Sequence, residues 1–192
     1  MNIRFAALGL AFAASLAFAQ EAPKPAKAKA ERAAMLQTLQ RGKAIKGSRE
    51  QYQHLPEVFA AESNAMDSVG AGGALVLETK GRLVLYRGGA AAAAQVARVG
   101  AATIYPTVVN VRTGTLGVLT GTLVVKPKIM GDAAAIAGSH GLETVKEYPQ
   151  LRAVFYRVKA NMDIADVAAV LQADIRVETA YPEIIEHVRL PK

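Results

Sequence analysis

Over its last third the sequence alternates strand-like and helix-like runs in an order that few folds can accommodate. Thr122 to Lys128 reads as an apolar strand. Asp132 is an N-cap candidate for a helix through Ala133, Ile136 and Ala137 that closes at Gly138 or Gly141. Leu142 to Tyr148 is a second strand, Pro149-Gln150 a turn, and Ala153 to Lys159 a third strand. Asp163 then caps a helix whose Ile164, Val167, Ala168 and Leu171 fall at i, i+3, i+4 and i+7, one helical face. Arg176 to Ala180 supplies a fourth strand. The order strand–helix–strand–strand–helix–strand predicts a ferredoxin-like βαββαβ unit, with two helices on one face of an antiparallel sheet and the other face open. Side chains alternate across a strand, so Leu123, Val125, Val154 and Tyr156 are expected under the helices. The opposite parity, Val124, Lys126, Phe155, Arg157, Val177 and Thr179, is expected on the open face.

Upstream, residues 70–120 read as a β-meander. Leu75-Val76-Leu77 and Leu83-Val84-Leu85-Tyr86 flank Thr79-Lys80-Gly81, a hairpin signal in which Gly supplies the turn. Ala90 to Arg98 allows one or two helical turns. Val108 to Val111, Leu116 to Leu119 and Leu123 to Val125 are separated by Thr113-Gly114 and Thr120-Gly121, both read as tight turns. Residues 20–69 form a different region. Glu21 to Ala30 is a linker of Ala, Lys and Pro. Met35, Leu36 and Leu39 give Glu31 to Lys46 a narrow helical stripe bounded by Gly42 and Gly47, and a second weak helix is expected over Leu55 to Met66 with Pro56 in its first turn. The fold class is α+β: a C-terminal antiparallel sheet with two helices on one face, preceded by a β-meander and a helical, flexible N-terminal arm.

Residues 1–19 set the expected compartment. Arg4, the apolar run Phe5 to Phe18 and the small residues of Ala17-Phe18-Ala19 make a signal-peptide pattern cut after Ala19, which implies a secreted or periplasmic protein. The chain has no cysteine, so thiolate nucleophiles, cysteine zinc sites and disulfides are excluded and the core alone must hold the fold. Most of the net charge of +7 lies in the N-terminal arm up to Glu50, where Lys24, Lys27, Lys29, Arg32, Arg41, Lys43, Lys46 and Arg49 face only Glu21, Glu31 and Glu50. In an exported chain that distribution reads as a solvated tether suited to weak contact with an anionic surface, and no nucleic-acid partner is expected.

No residue pattern points to catalysis, a cofactor or a metal. His54, His140 and His187 lack metal-ligand spacing. Ser139-His140-Gly141 reads as a helix-end turn, and Asp163, Asp166 and Asp174 as helix-terminal carboxylates. Gly70 to Gly73 lacks the Gly-Lys-Ser/Thr ending of a phosphate loop.

Taken together, Gly121-Thr-Leu-Val-Val-Lys-Pro-Lys128, Ala135-Ile-Ala-Gly-Ser-His-Gly-Leu142, Leu151-Arg-Ala-Val-Phe-Tyr-Arg-Val158, the helix from Asp163 to Leu171 and Asp174-Ile-Arg-Val-Glu-Thr-Ala-Tyr-Pro182 resemble the propeptide domain of subtilisin-like serine proteases. Such propeptides show a strand ending in Lys-Pro, a helix closing on a His-Gly-Leu-like turn, and an Arg-Val-Glu-x-Ala-x-Pro strand. The resemblance covers residues 121–192, a little over a third of the chain.

It implies an inhibitor or intermolecular folding chaperone of a subtilisin-like serine protease. The open sheet face would lie on the protease, and the tail His187-Val188-Arg189-Leu190-Pro191-Lys192 would occupy the active-site cleft as a product does, with Lys192 nearest the catalytic serine. Glu186 matches an acidic position that faces helix N-termini of the protease; the chain departs from the family at Ile184 and Ile185, where further acids are common. The alternative is a structural or surface-adhesion module in which a ferredoxin-like domain is held by a basic tether.

Overall fold

In the computed structural model, residues 33–63, 73–100, 103–159 and 162–187 are described. The expected signal peptide, the linker and the tail residues Val188, Arg189, Leu190, Pro191 and Lys192 lie outside them.

Among the described residues nine strands join in one sheet. They are β1 (Ala44–Lys46), β2 (Gln51–Glu62), β3 (Leu75–Lys80), β4 (Leu83–Arg87), β5 (Tyr105–Asn110), β6 (Leu116–Pro127), β7 (Glu143–Tyr148), β8 (Ala153–Arg157) and β9 (Val177–Ile185). Three helices interrupt them: α1 (Gly89–Gly100), α2 (Ala133–His140) and α3 (Ile164–Ala173). Of the helix expected over Glu31 to Lys46, residues 33–38 are helical and Leu39 is buried, but Ala44–Lys46 is strand, paired with Gln51 to Gln53 of β2.

Two further expectations fail here for physical reasons. Leu55 to Glu62 is strand, not helix. Pro56 lies where the β2–β5 register shifts, between His54 and Phe59, so its missing N–H breaks no regular ladder. Thr120-Gly121 is not a turn either. Gly121 takes φ +80° within β6, at a register shift against β9 between Leu119 and Leu123. A bulge and a tight turn need the same left-handed glycine. The chain therefore runs straight on, and the sheet is continuous across the boundary expected at residue 120.

Strand β6 is the spine of the sheet. Along one edge it pairs first with β5 (Val109↔Leu116, Thr107↔Val118) and then, past Gly121, with β8 (Thr122↔Arg157 to Val125↔Val154). Along the other edge it pairs with β9 from Val118↔Ile185 to Pro127↔Val177. The C-terminal part thus has the order β9-β6-β8-β7 with every neighbouring pair antiparallel. The N-terminal part continues from β5 through β2 to β4 and β3, with β1 against β2.

Helices α2 and α3 cover one face of the C-terminal part. Asp163 caps α3, its Oδ1 accepting from the N–H groups of Ala165 and Asp166, and α2 ends at Gly141 in the left-handed conformation. Ile136, Ala137, Val167, Ala168 and Leu171 pack on Leu123, Val125, Val154 and Tyr156, the four sheet residues expected there. Full burial of each large side chain stabilises by about 1.5–3 kcal/mol, and the Tyr156 hydroxyl donates to the Ala133 carbonyl at 2.9 Å. Helix α1 places Ala92 on Phe59, Ala61, Val84 and Tyr86. Their alternates on β2, Val58 and Ala60, join Leu55, Val109, Leu116, Val118 and Leu39 in a separate cluster. The N-terminal part therefore has apolar packing on both faces; the C-terminal part has its large core on one.

Candidate functional site

Strand alternation leaves an outer surface on the C-terminal part. Val124 lies between Phe155 and Tyr181 in the register, and Lys126 lies opposite Thr179. Val124 is 9% exposed although it faces away from α2 and α3, flanked by the two aromatic residues. Phe155 and Lys126 are half-buried, and Arg157 and Thr179 are exposed. Phe155 meets Tyr148 edge-on at 5.4 Å between ring centroids, and the Lys146 ammonium lies 4.8 Å from the Tyr148 ring centre. The Arg157 guanidinium lies 3.7 Å from the Glu143 carboxylate. The result is an aromatic row, Tyr181–Val124–Phe155–Tyr148, bordered by Lys126, Lys146 and Arg157.

Five of the six sheet residues expected from the sequence share this face. Val177 does not. It is 5% exposed and belongs to the core under the helices, because the register shift between Lys126 and Pro127 reverses its parity. Tyr181 takes part instead. It escapes a reading that ends the last strand at Ala180, although Tyr181-Pro182 continues the alternation. Tyr148 joins because β7 carries a register shift between Thr144 and Lys146.

The free edge of β9 is blunted. The Gln172 side-chain amide donates to the Ala180 carbonyl at 2.6 Å, and Pro182 has no N–H to offer. A partner strand is discouraged along that edge.

The tail root is held by the N-terminal strands. Thr120 donates to the Glu183 carboxylate at 2.7 Å. Glu186, expected to face helix N-termini of a partner, has its carboxylate engaged within the chain: Asn110 Nδ2 donates to Glu186 Oε1 at 2.9 Å. Lys80, 5% exposed, donates to the Glu186 backbone carbonyl at 2.6 Å and to Glu78 Oε1 at 3.0 Å. Tyr52 stands beside them; burial first, then the Glu186 carboxylate, pushes its hydroxyl up to about 12. His187 follows as an exposed residue.

The remaining polar groups do structural work. His140 Nε2 lies 2.9 Å from Asp174 Oδ2, and Arg176 donates to both oxygens of that carboxylate. Ser139 donates to the Ala135 carbonyl, one turn back in its own helix, and accepts from Arg176 at 3.3 Å, so Ser139 and His140 meet only through the Arg176–Asp174 pair. His54 lines a cleft with Lys43 and Asp163; burial pulls its pKa down, against a smaller upward pull from Asp163. Among the described residues no group of three or more His, Asp or Glu is placed to hold a metal ion, and no helix is long and apolar enough to cross a membrane.

Residues 24–189 match the family model described as the open reading frame 2 N-terminal domain. Among solved structures, the crystal structure of the Aeromonas sobria serine protease (ASP) and chaperone (ORF2) complex contains a chain that resembles this one at 20% identity, with a TM-score of 0.38, over 47% of this chain and 93% of that one. No curated protein matches the sequence.

Proposed function

The chain belongs to the open reading frame 2 N-terminal domain family, and from that premise we propose that it is an exported, non-catalytic folding chaperone and inhibitor of a subtilisin-like serine protease. Residues 121–187 are read as the ferredoxin-like unit anticipated from the sequence. The order β9-β6-β8-β7 and the pair α2 and α3 on one face support that reading.

The observation that carries the proposal is the outer face of the C-terminal part, which no helix of the described residues covers. A row of three aromatic rings and a valine, edged by three cations, is the composition of a protein-binding surface. Here it lies opposite a well-packed core that does not need it. In the proposed complex this face, with Val124, Lys126, Phe155, Arg157 and Thr179, lies on the protease. The segment His187 to Lys192 then follows the active-site cleft in the manner of a product, with main-chain hydrogen bonds supplying affinity. Pro191, which lacks an N–H and has a fixed φ, stiffens the tail against turnover.

The test is a titration of the mature protein into subtilisin and the Aeromonas sobria serine protease (ASP). Inhibition is expected, and it should weaken far more on deletion of residues 189–192 than on deletion of residues 21–46. Equal effects of the two deletions would reject the tail mechanism.

A further inference from the structure

Two buried polar side chains from two N-terminal strands converge on one residue, Glu186, at the point where β9 has ended. Lys80 lies at the end of β3 and Asn110 at the end of β5. A buried ammonium is costly unless it is paired and hydrogen-bonded. Lys80 meets that condition with the Glu78 carboxylate and with the Glu186 carbonyl, a residue 106 positions away. Asn110 is 1% exposed and fully employed. Its Oδ1 accepts from the N–H groups of Arg112 and Thr113 in the β5–β6 turn, which fixes the amide so that Nδ2 points at the Glu186 carboxylate. The strand leading to Glu186 is fixed as well. Thr120 holds Glu183, and Ile184 packs against bare backbone at Gly117.

Core packing does not explain this expenditure of polar groups. The two larger clusters contain neither Lys80 nor Asn110, whereas Tyr52 packs with Ile45, Val108 and Leu119 against Ile184. What the contacts define is the position of the backbone at Glu186 and hence the direction in which the chain continues at His187.

We propose that Lys80 and Asn110 are positioning residues that clamp Glu186 and fix the backbone at His187, where the C-terminal segment begins, so that the N-terminal strands belong to the partner-binding machinery. The use of that segment rests on the chaperone–inhibitor reading above; the clamp itself does not. Its chemistry is specific: a cation on a carbonyl and an amide donor on a carboxylate. A segment whose start is fixed in advance loses less freedom on binding, so releasing the clamp should weaken binding without unfolding the sheet.

Asn110→Asp tests this because it keeps the acceptor that the turn needs and turns the donor facing Glu186 into a second carboxylate oxygen. Glu186→Gln in the same chain should restore the contact, since its amide can donate to the new carboxylate. Glu186→Ala, at a half-exposed position, serves if Asn110→Asp fails to fold. The absence of native cysteine permits spin labels at Lys128→Cys and His187→Cys in the full mature chain. The free protein should give a narrow distance distribution that widens in Asn110→Asp and in Glu186→Ala, and narrows again in Asn110→Asp/Glu186→Gln. Affinity for subtilisin or ASP should fall about tenfold in the first two variants and recover in the third.

Unchanged distributions in both single variants, or a widening that Glu186→Gln does not reverse, overturn the clamp. If the wild-type chain binds neither protease, the chaperone–inhibitor reading fails, while the distance measurement still decides the clamp.

Discussion

Gly117 of β6 lies so close to Ile184 of β9 that a Cβ on the glycine would stand 2.6 Å from Ile184 Cγ2 and 3.2 Å from Val108 Cγ2. This notch lets the last strand settle on the N-terminal part of the spine just before Glu186. Gly117→Ala is expected to destabilise the fold by about 1–3 kcal/mol through overpacking. Ile184→Ala in the same chain should recover part of the loss by removing the methyl that is struck. Urea unfolding of the two variants checks this; a neutral Gly117→Ala would show that the strands can part without penalty.

Acid stability should depend on Asp174. The Arg176 guanidinium first, then His140, hold its carboxyl well below the usual aspartate range. Its folded pKa is therefore lower than its unfolded one. The stabilising contribution is complete above the ordinary aspartate value of about 4, and is lost as pH falls below it toward the folded value. Between pH of about 5 and about 2 the wild type should lose stability more steeply than Asp174→Asn. Unfolding midpoints across that range make the comparison, and parallel curves would refute the assignment.

The core beneath α2 and α3 should respond to changes that the outer face tolerates. Tyr156→Phe leaves the Ala133 carbonyl without its buried partner and should cost about 1–3 kcal/mol. Leu171→Ala, at a fully buried position, should cost about 2–5 kcal/mol. Thermal unfolding with circular dichroism provides the readout, and Thr179→Ala on the outer face should stay within about 0.5 kcal/mol of wild type.

Partner binding should show the opposite pattern. Phe155→Ser and Arg157→Glu alter the aromatic row and its cationic border, and each should weaken protease binding about tenfold or more. Val170→Ser, exposed on α3 on the helical side, should leave binding unchanged. Calorimetric titration distinguishes the faces; equal losses for all three variants would mean that the sheet face has no special part in recognition.

How much of this was legible in the sequence depends on whether the signal is local. The cap at Asp163, the face of α3 and the end of α2 at Gly141 are written in neighbouring residues, and the structure has all three. The inward parity of Leu123, Val125, Val154 and Tyr156 follows from the period of a strand. Strand β2 was not legible, because Leu55 to Glu62 becomes strand through pairing with β4 and β5, far away in the chain. Gly121 marks a positive φ correctly, but a turn and a bulge give the same local sign. Val177 changes sides at a register shift that no composition rule predicts. The contacts of Lys80 and Asn110 with Glu186 span most of the fold. One local hint to them existed: an asparagine inside the run Val108-Val109-Asn110-Val111, where a polar side chain must find a partner.

The most direct measurement is assisted refolding. Denatured ASP is diluted into native buffer with no addition, with the wild-type chain, or with the chain carrying Phe155→Ser and lacking residues 189–192. Native ASP recovered after separation from the added chain is then assayed. The wild type should raise the recovered protease well above the unassisted level and should inhibit it while bound, whereas the altered chain should do neither. Equal recovery in all three samples, with no inhibition by the wild type, would contradict the account.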